Sequence, residues 1–264
     1  MTEEELPAGH GGRQVFRSER GVHRSQVPWT PTVHAFLRHL EAMGFQEAPR
    51  VIGIDDEGHE ILSFIEGQVL ARPSWQFGQP GPAPEWARTD EVLAGVAVLL
   101  RDLHHASASF VPVAPVWRYY DWPGLLPGQI VCHGDVGPHN TVYRDGRPVA
   151  LIDWDEICPN DPRIEFGTGA WKYVPLGTDA FFAASDWRER PDLARRLALF
   201  AECYGITDRV AVLDAVQQAK QRSAEALRRF PIGPNEAARY LSVVATDLEW
   251  LSAEGDRLGA RLRA

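Results

Sequence analysis

The chain has 264 residues and a formal net charge of −9, with 44% hydrophobic and 24% charged residues. That length allows one or two domains with a real core, and the acidic balance excludes a nucleic-acid surface, which needs clustered cations. Of 27 basic side chains only Lys172 and Lys220 are lysines, so chemistry that needs a lysine earlier in the chain is excluded.

The acidic start, Met1-Thr-Glu-Glu-Glu-Leu, lacks the basic-then-apolar pattern of a signal peptide. Val15-Phe16-Arg17 and Val22-His23-Arg24 flank Ser18 to Gly21 and predict a hairpin. Thr30-Pro31 opens a helix with Thr30 as N-cap; Val33, Phe36, Leu37, Leu40 and Met43 mark its buried face and Gly44 ends it. Pro49 to Ile54 and Glu60 to Ile65 read as two strands joined by the turn Asp55-Asp56-Glu57-Gly58. Arg72 to Trp86, rich in proline, is a loop and the seam between a small lobe (1–70) and a larger one (71–264).

Beyond the seam, Thr89 caps a long helix with Val92, Val96, Leu99, Leu100 and Leu103 on its apolar face. Its nine-residue apolar run, Val92 to Leu100, is too short to span a bilayer, and a cytoplasmic protein without membrane partners is expected. Phe110 to Gly128 is a second loop, followed by the short apolar run Ile130-Val131-Cys132. Cys132, Cys158 and Cys203 are odd in number and widely spaced, which argues against a disulfide framework. From about residue 190 the pattern turns helical, over Asp192 to Tyr204, Asp208 to Phe230 and Glu236 to Leu262. The fold class is therefore α+β and bilobal, with a small sheet-plus-helix lobe before a mainly helical one.

The chemistry concentrates between residues 130 and 155. Thr141-Val142-Tyr143 and Pro148 to Ile152 are strand-like, and Asp145-Gly146 between them is a tight hairpin turn. If Arg144 pairs with Arg147, Asn140 falls opposite Leu151, with Asp153 just beyond that pair at the same open end. Asp135, five residues before Asn140, enters that end from a loop. Hard oxygen donors of this kind suit magnesium: Asn140 and Asp153 can be ligands, leaving Asp135 to orient a hydroxyl and accept its proton. A competing transition-metal set of Cys132, His133, Asp135 and His139 is disfavoured, because adjacent Cys132 and His133 diverge on an extended segment.

His133-Gly134-Asp135-Val136-Gly137-Pro138-His139-Asn140 followed by Ile152-Asp153-Trp154-Asp155 resembles the catalytic and metal motifs of the aminoglycoside phosphotransferase family, small-molecule kinases with a protein-kinase-like fold. The resemblance implies Asp135 as catalytic base, Asn140 and Asp153 as Mg²⁺ ligands and His133 as a brace of the loop. Asp155 is an extra acid outside the pattern, and His104 of the long helix reads as a packed structural residue. Leu62 to Gly67 looks like the family's hinge, with the backbone of Ser63 and Ile65 facing adenine. ATP and Mg²⁺ are then the cofactors and a hydroxylated small molecule the acceptor.

Departures from the family pattern accompany the match. No lysine is available for the nucleotide phosphates, so Arg24 is the nearest candidate, and the swap is not conservative. The first helix shows Val33 and His34 where a partner glutamate is expected, with Glu41 at its other end. Gly9, Gly11 and Gly12 are the only glycines for a phosphate loop, and Glu165-Phe166-Gly167 stands where relatives tend to have Asp-Leu-Ala. These changes motivate the alternative of a non-catalytic kinase-fold protein for binding or immunity.

Overall fold

The computed structural model describes residues 4–5, 15–70, 83–121, 124–184, 187, 189–229 and 234–263. Gly9, Gly11 and Gly12 lie outside the described residues, as does most of the seam loop. Strands β1 (Glu4–Glu5), β2 (Val15–Ser18), β3 (Gly21–Ser25), β4 (Val51–Ile54) and β5 (His59–Leu62) form an antiparallel sheet in the order β1-β2-β3-β5-β4. Helix α1 (Thr30–Ala42) connects β3 to β4. Its N-cap is Trp29 and not Thr30: the Thr30 hydroxyl turns outward to accept the Val27 N–H at 3.0 Å, so the side chain serves the preceding turn. Gly44 takes φ +82° just past the helix and donates its N–H to Glu41.

Helix α2 (Asp90–Ser107) is capped as expected, its Val92 N–H donating to the Thr89 hydroxyl. A loop leads to β6 (Ile130–Cys132), which pairs with β9 (Cys158–Asn160) and sets Cys132 opposite Cys158. Both are free thiols. Between them lies the hairpin of β7 (Thr141–Arg144) and β8 (Arg147–Leu151), turned by Asp145 and Gly146, both at positive φ. Its register departs from the simple count. Arg144 does face Arg147, but a bulge between Val142 and Tyr143 places Thr141, not Asn140, opposite Leu151. Asn140 then accepts the Ile152 N–H at 2.9 Å, one residue nearer Asp153.

Helices α3 (Pro162–Tyr173) and α4 (Asp179–Ala184) come before residue 190, where no helix was expected. Pro162, Gly167 and Gly169 blunt the helical pattern of α3, and it is buried on several faces, so no amphipathic stripe marks it. Gly167 is needed there: a Cβ would lie 2.2 Å from the Ala215 carbonyl on α6. Helices α5 (Leu193–Tyr204), α6 (Arg209–Arg229) and α7 (Pro234–Arg263) follow the predicted pattern. No helix among the described residues is long and apolar enough to cross a membrane.

The small sheet and the helical part share one hydrophobic cluster. Phe36, Leu37 and Leu40 of α1 join Leu93, Leu100 and Leu103 of α2 and Trp154 within it. Backbone bonds reinforce the junction: Gln68 and Tyr143 exchange N–H···O bonds at 2.8 Å, and Leu151 N–H reaches the Glu47 carbonyl at 2.9 Å. Gly67 permits the approach, since a Cβ would meet the Tyr143 carbonyl at 2.6 Å. The segment after β5 is thereby pressed against the hairpin that carries the candidate site.

Candidate active site

Asp135 sits on the loop between β6 and β7, its side chain 32% exposed. Lys172 Nζ donates to Oδ1 at 2.9 Å, while Asn140 Nδ2 and His139 Nε2 donate to Oδ2 at 2.9 and 3.0 Å. Burial works to raise the carboxyl's pKa, but Lys172 and His139 outweigh it and hold the group well below the usual carboxylate range. Asp135 is thus a fixed anion at the rim of the site. Gly137 makes room for this convergence, because a Cβ there would press on the His139 ring at 2.7 Å and on Lys172 Cδ at 3.0 Å.

The loop itself is braced from below. His133 is fully buried; its Nε2–H donates to the Ile152 carbonyl at 3.0 Å and its Nδ1 accepts the Asp135 N–H at 3.3 Å. Burial lowers the His133 pKa, in keeping with a neutral ring that uses one nitrogen as donor and the other as acceptor. Glu165 of α3 accepts the backbone N–H of His133 at 3.1 Å and of Gly134 at 2.6 Å, and also binds His104 Nε2 at 2.8 Å. His104 in turn meets the Tyr204 hydroxyl at 2.6 Å. Glu165 and Lys172 are seven residues apart, about two helical turns, so one face of α3 serves both the loop backbone and Asp135. Gly134 has φ +87° and a Cβ would collide with the Glu156 carbonyl, which explains glycine between His133 and Asp135.

Asp153 follows β8 in the left-handed conformation, φ 62° and ψ 62°, a position that strains most side chains but that aspartate tolerates. Its carboxylate is 48% exposed. Burial, then the neighbouring Asp155, push its pKa upward, with Arg24 opposing. Asn140 spends its amide nitrogen on Asp135, leaving the amide oxygen for a second partner. A half-exposed carboxylate, an amide oxygen and an excess of negative charge fit a small hard cation. The predicted Mg²⁺ ligands Asn140 and Asp153 therefore stand at one end of the hairpin with Asp135 beside them.

The alternative transition-metal set does not converge, since His133 uses both ring nitrogens within the loop. Donor atoms of His104, Cys132 and Glu165 do lie within 4.8 Å of one another. However, His104 and Glu165 are bonded to each other and burial keeps the Cys132 thiol protonated, so that group is a brace.

Arg24 on β3 lies across from Glu60 on β5, and its guanidinium also faces Asp155 at 3.3 Å and Asp153 at 3.7 Å. Burial opposes its charge, but Asp155, Glu60 and Asp153 raise its pKa. Asp155, the extra acid outside the pattern, is therefore a buried ion-pair partner of Arg24. At the segment after β5, the Ser63 N–H is spent on the Arg50 carbonyl at 2.8 Å, so of its two backbone groups the carbonyl is the one left for a base. Ile65 lies two residues on, in an irregular stretch with no strand or helix assigned.

Sequence reasoning passed over Glu60, Lys172 and Glu156. Glu156 follows Asp155 at the rim, 3.5 Å from Arg118, and burial and then Asp135 push its pKa up to about 8. The Asp-Trp-Asp-Glu run was the available signal for Glu156, and the scarcity of lysine was the signal for Lys172.

The family model described as the phosphotransferase enzyme family matches residues 114–202, which include the whole loop and hairpin. The trifolitoxin immunity protein of Rhizobium leguminosarum bv. trifolii is 37% identical over 244 residues, covering 84% of this chain and 85% of that protein. Among solved structures, the fold is similar to a choline kinase from Cryptosporidium parvum Iowa II (TM-score 0.59, 11% identity, 100% of this chain and 93% of that one). It is also similar to a Plasmodium vivax ethanolamine kinase (TM-score 0.56, 10% identity, 93% and 81%). The GDP complex of aminoglycoside 2'-phosphotransferase-IIIa matches with a TM-score of 0.52 at 13% identity, over 94% and 93%. Together with the loop and hairpin geometry, these similarities place the chain in the phosphotransferase enzyme family, with the protein-kinase-like fold of the aminoglycoside phosphotransferases.

Proposed function

We propose that the protein is an ATP- and Mg²⁺-dependent phosphotransferase that moves the γ-phosphoryl group to a hydroxyl of a small molecule. The observation that carries this reading is the anchored Asp135 carboxylate, ionised by Lys172 and His139 and set beside Asn140. A merely structural aspartate has no need to stand at the rim with three donors fixing both of its oxygens. Residues 1–70 would form the nucleotide lobe and 71–264 the catalytic and acceptor lobe, in a protein of the cytoplasm.

Arg24 and the backbone at Ser63 and Ile65 would hold the nucleotide, and Asn140 and Asp153 the magnesium. When bound, the metal supplies charge neutralisation at the phosphate oxygens. Asp135 orients the acceptor hydroxyl. Held as the anion by Lys172 and His139, it accepts the hydroxyl proton as the oxygen bonds to phosphorus and ADP leaves. Lys172 compensates its charge throughout, and positioning supplies most of the rate. Mg-ATP at a hundredfold excess over its Kd should stabilise the fold by about 2.7 kcal/mol. Absence of any Mg²⁺-dependent rise in Tm at millimolar ATP contradicts the proposal.

A second reading, a non-catalytic binding or immunity protein, has two supports. Arg24 is already surrounded by three carboxylates, and the 37%-identical relative is named for immunity. The two readings separate in one assay: protection of a toxin-sensitive cell that survives Asp135→Asn favours binding, and protection lost with that change favours phosphoryl transfer.

A further inference from the structure

The sheet side of the site contains a buried charge arrangement that the catalytic loop does not use. Arg24 of β3 and Glu60 of β5 are direct cross-strand partners. Glu60 is 1% exposed and Arg24 only 11%. Glu60 Oε1 accepts from Arg24 Nε at 3.1 Å and lies 2.9 Å from Nη2. Its other oxygen, Oε2, accepts from Nε2 of His34, a buried residue of α1, at 2.8 Å. Both carboxylate oxygens are therefore held, one by the strand and one by the helix.

The guanidinium donors of Arg24 give the arrangement a direction. Nε and Nη2 are turned to Glu60, with Asp155 Oδ1 also 3.3 Å from Nη2. Nη1 is 3.7 Å from Asp153 Oδ1, beyond hydrogen-bond distance, and so faces the predicted metal end with its hydrogens available. A guanidinium fixed through Nε and Nη2 presents Nη1 as the donor left for phosphate oxygens.

We propose that Glu60 and His34 are positioning residues that aim Arg24 at the phosphates of the bound nucleotide, a strand–strand–helix device in a lobe that contains no lysine. The inference rests on the phosphotransferase reading above. The helix position that lacks a glutamate carries His34 instead, and the acid has moved to the strand across from the arginine. Asp153 and Asp155 add two carboxylates beside the same guanidinium, so phosphates are repelled unless a divalent cation enters with them. Recognition of the phosphates should consequently be strongly metal-dependent.

The test is calorimetric titration of the full chain with ADP and with adenosine, each with and without Mg²⁺. Wild type should prefer ADP over adenosine, and removal of Mg²⁺ should erase most of that preference. Arg24→Ala and Glu60→Gln should each cut the preference about tenfold or more while adenosine affinity stays within about twofold, a tenfold change being 1.4 kcal/mol. His34→Leu should cause a smaller loss, and His34→Gln, which keeps an N–H donor, should restore it. A merely structural network would lower Tm and weaken both ligands in parallel, and that result overturns the proposal. So does a folded Arg24→Ala protein with its ADP preference intact. If Arg24→Ala does not fold, the Leu and Gln substitutions at His34 decide alone, and equal ADP preference in both overturns it. Wild type that binds neither ligand overturns the nucleotide reading itself and this inference with it.

Discussion

Around Asp135 the support comes from a helix and the charges are paired: α3 sends Glu165 to two backbone N–H groups and Lys172 to the carboxylate, and His133 closes the loop from beneath. Around Arg24 there is an excess of negative charge, with Glu60 of β5 and Asp153 and Asp155 after β8 near one guanidinium. The first region is satisfied by the chain alone. The second is charge-unbalanced until a cation and phosphates join it. The loop around Asp135 should therefore behave as a rigid, ligand-independent unit, and the region around Arg24, on the proposed function, as one whose stability and order depend on ligand.

The sharpest way to break that contrast is Glu165→Ala. It strands the buried His133 N–H, the Gly134 N–H and His104, and breaking such a network costs about 3–5 kcal/mol. Denaturant unfolding should show the loss whether or not Mg-ATP is present, and a variant as stable as wild type shows that the brace is not needed. Next comes Lys172→Met, expected to lower kcat by about a hundredfold through loss of charge compensation at the reacting end. Nucleotide Kd should be unchanged, because Lys172 belongs to the loop side; a matching rise in Kd would merge the two regions.

A smaller effect follows from His133. Its folded pKa lies below the ordinary 6.5, so the unfolded chain binds more protons as pH falls through that value. Stability contributed by the neutral ring is present above about pH 6.5 and is lost progressively below it. The stability difference between wild type and His133→Gln should accordingly shrink as pH is lowered from 7 to 5. A difference that grows on acidification means a charged ring in the loop.

The sequence carried the loop side well because its information is local: Asp135, Asn140 and Asp153 sit at fixed offsets around one hairpin, so spacing alone brings them together. Even the register slip at the bulge moved Asn140 by only one residue. Lys172 and Glu165 escaped because their role depends on where α3 packs, and α3 has glycines and no apolar stripe to announce it. Glu60 escaped for a different reason. Its partnership with Arg24 crosses 36 residues and appears only when β3 and β5 pair, with His34 of α1 added to its other oxygen. The missing-lysine signal was legible from composition, but the direction of its replacement was a property of strand pairing.

The central claim is that Asp135 is a working catalytic group. It is tested most directly by ADP release from Mg-ATP, with water or a panel of hydroxylated small molecules as acceptor, for wild type and Asp135→Asn. The expected result is Mg²⁺-dependent ADP release by wild type that falls about a thousandfold in the variant while Mg-ATP affinity is retained. Equal rates in the two proteins, or no release by wild type despite tight Mg-ATP binding, contradict it.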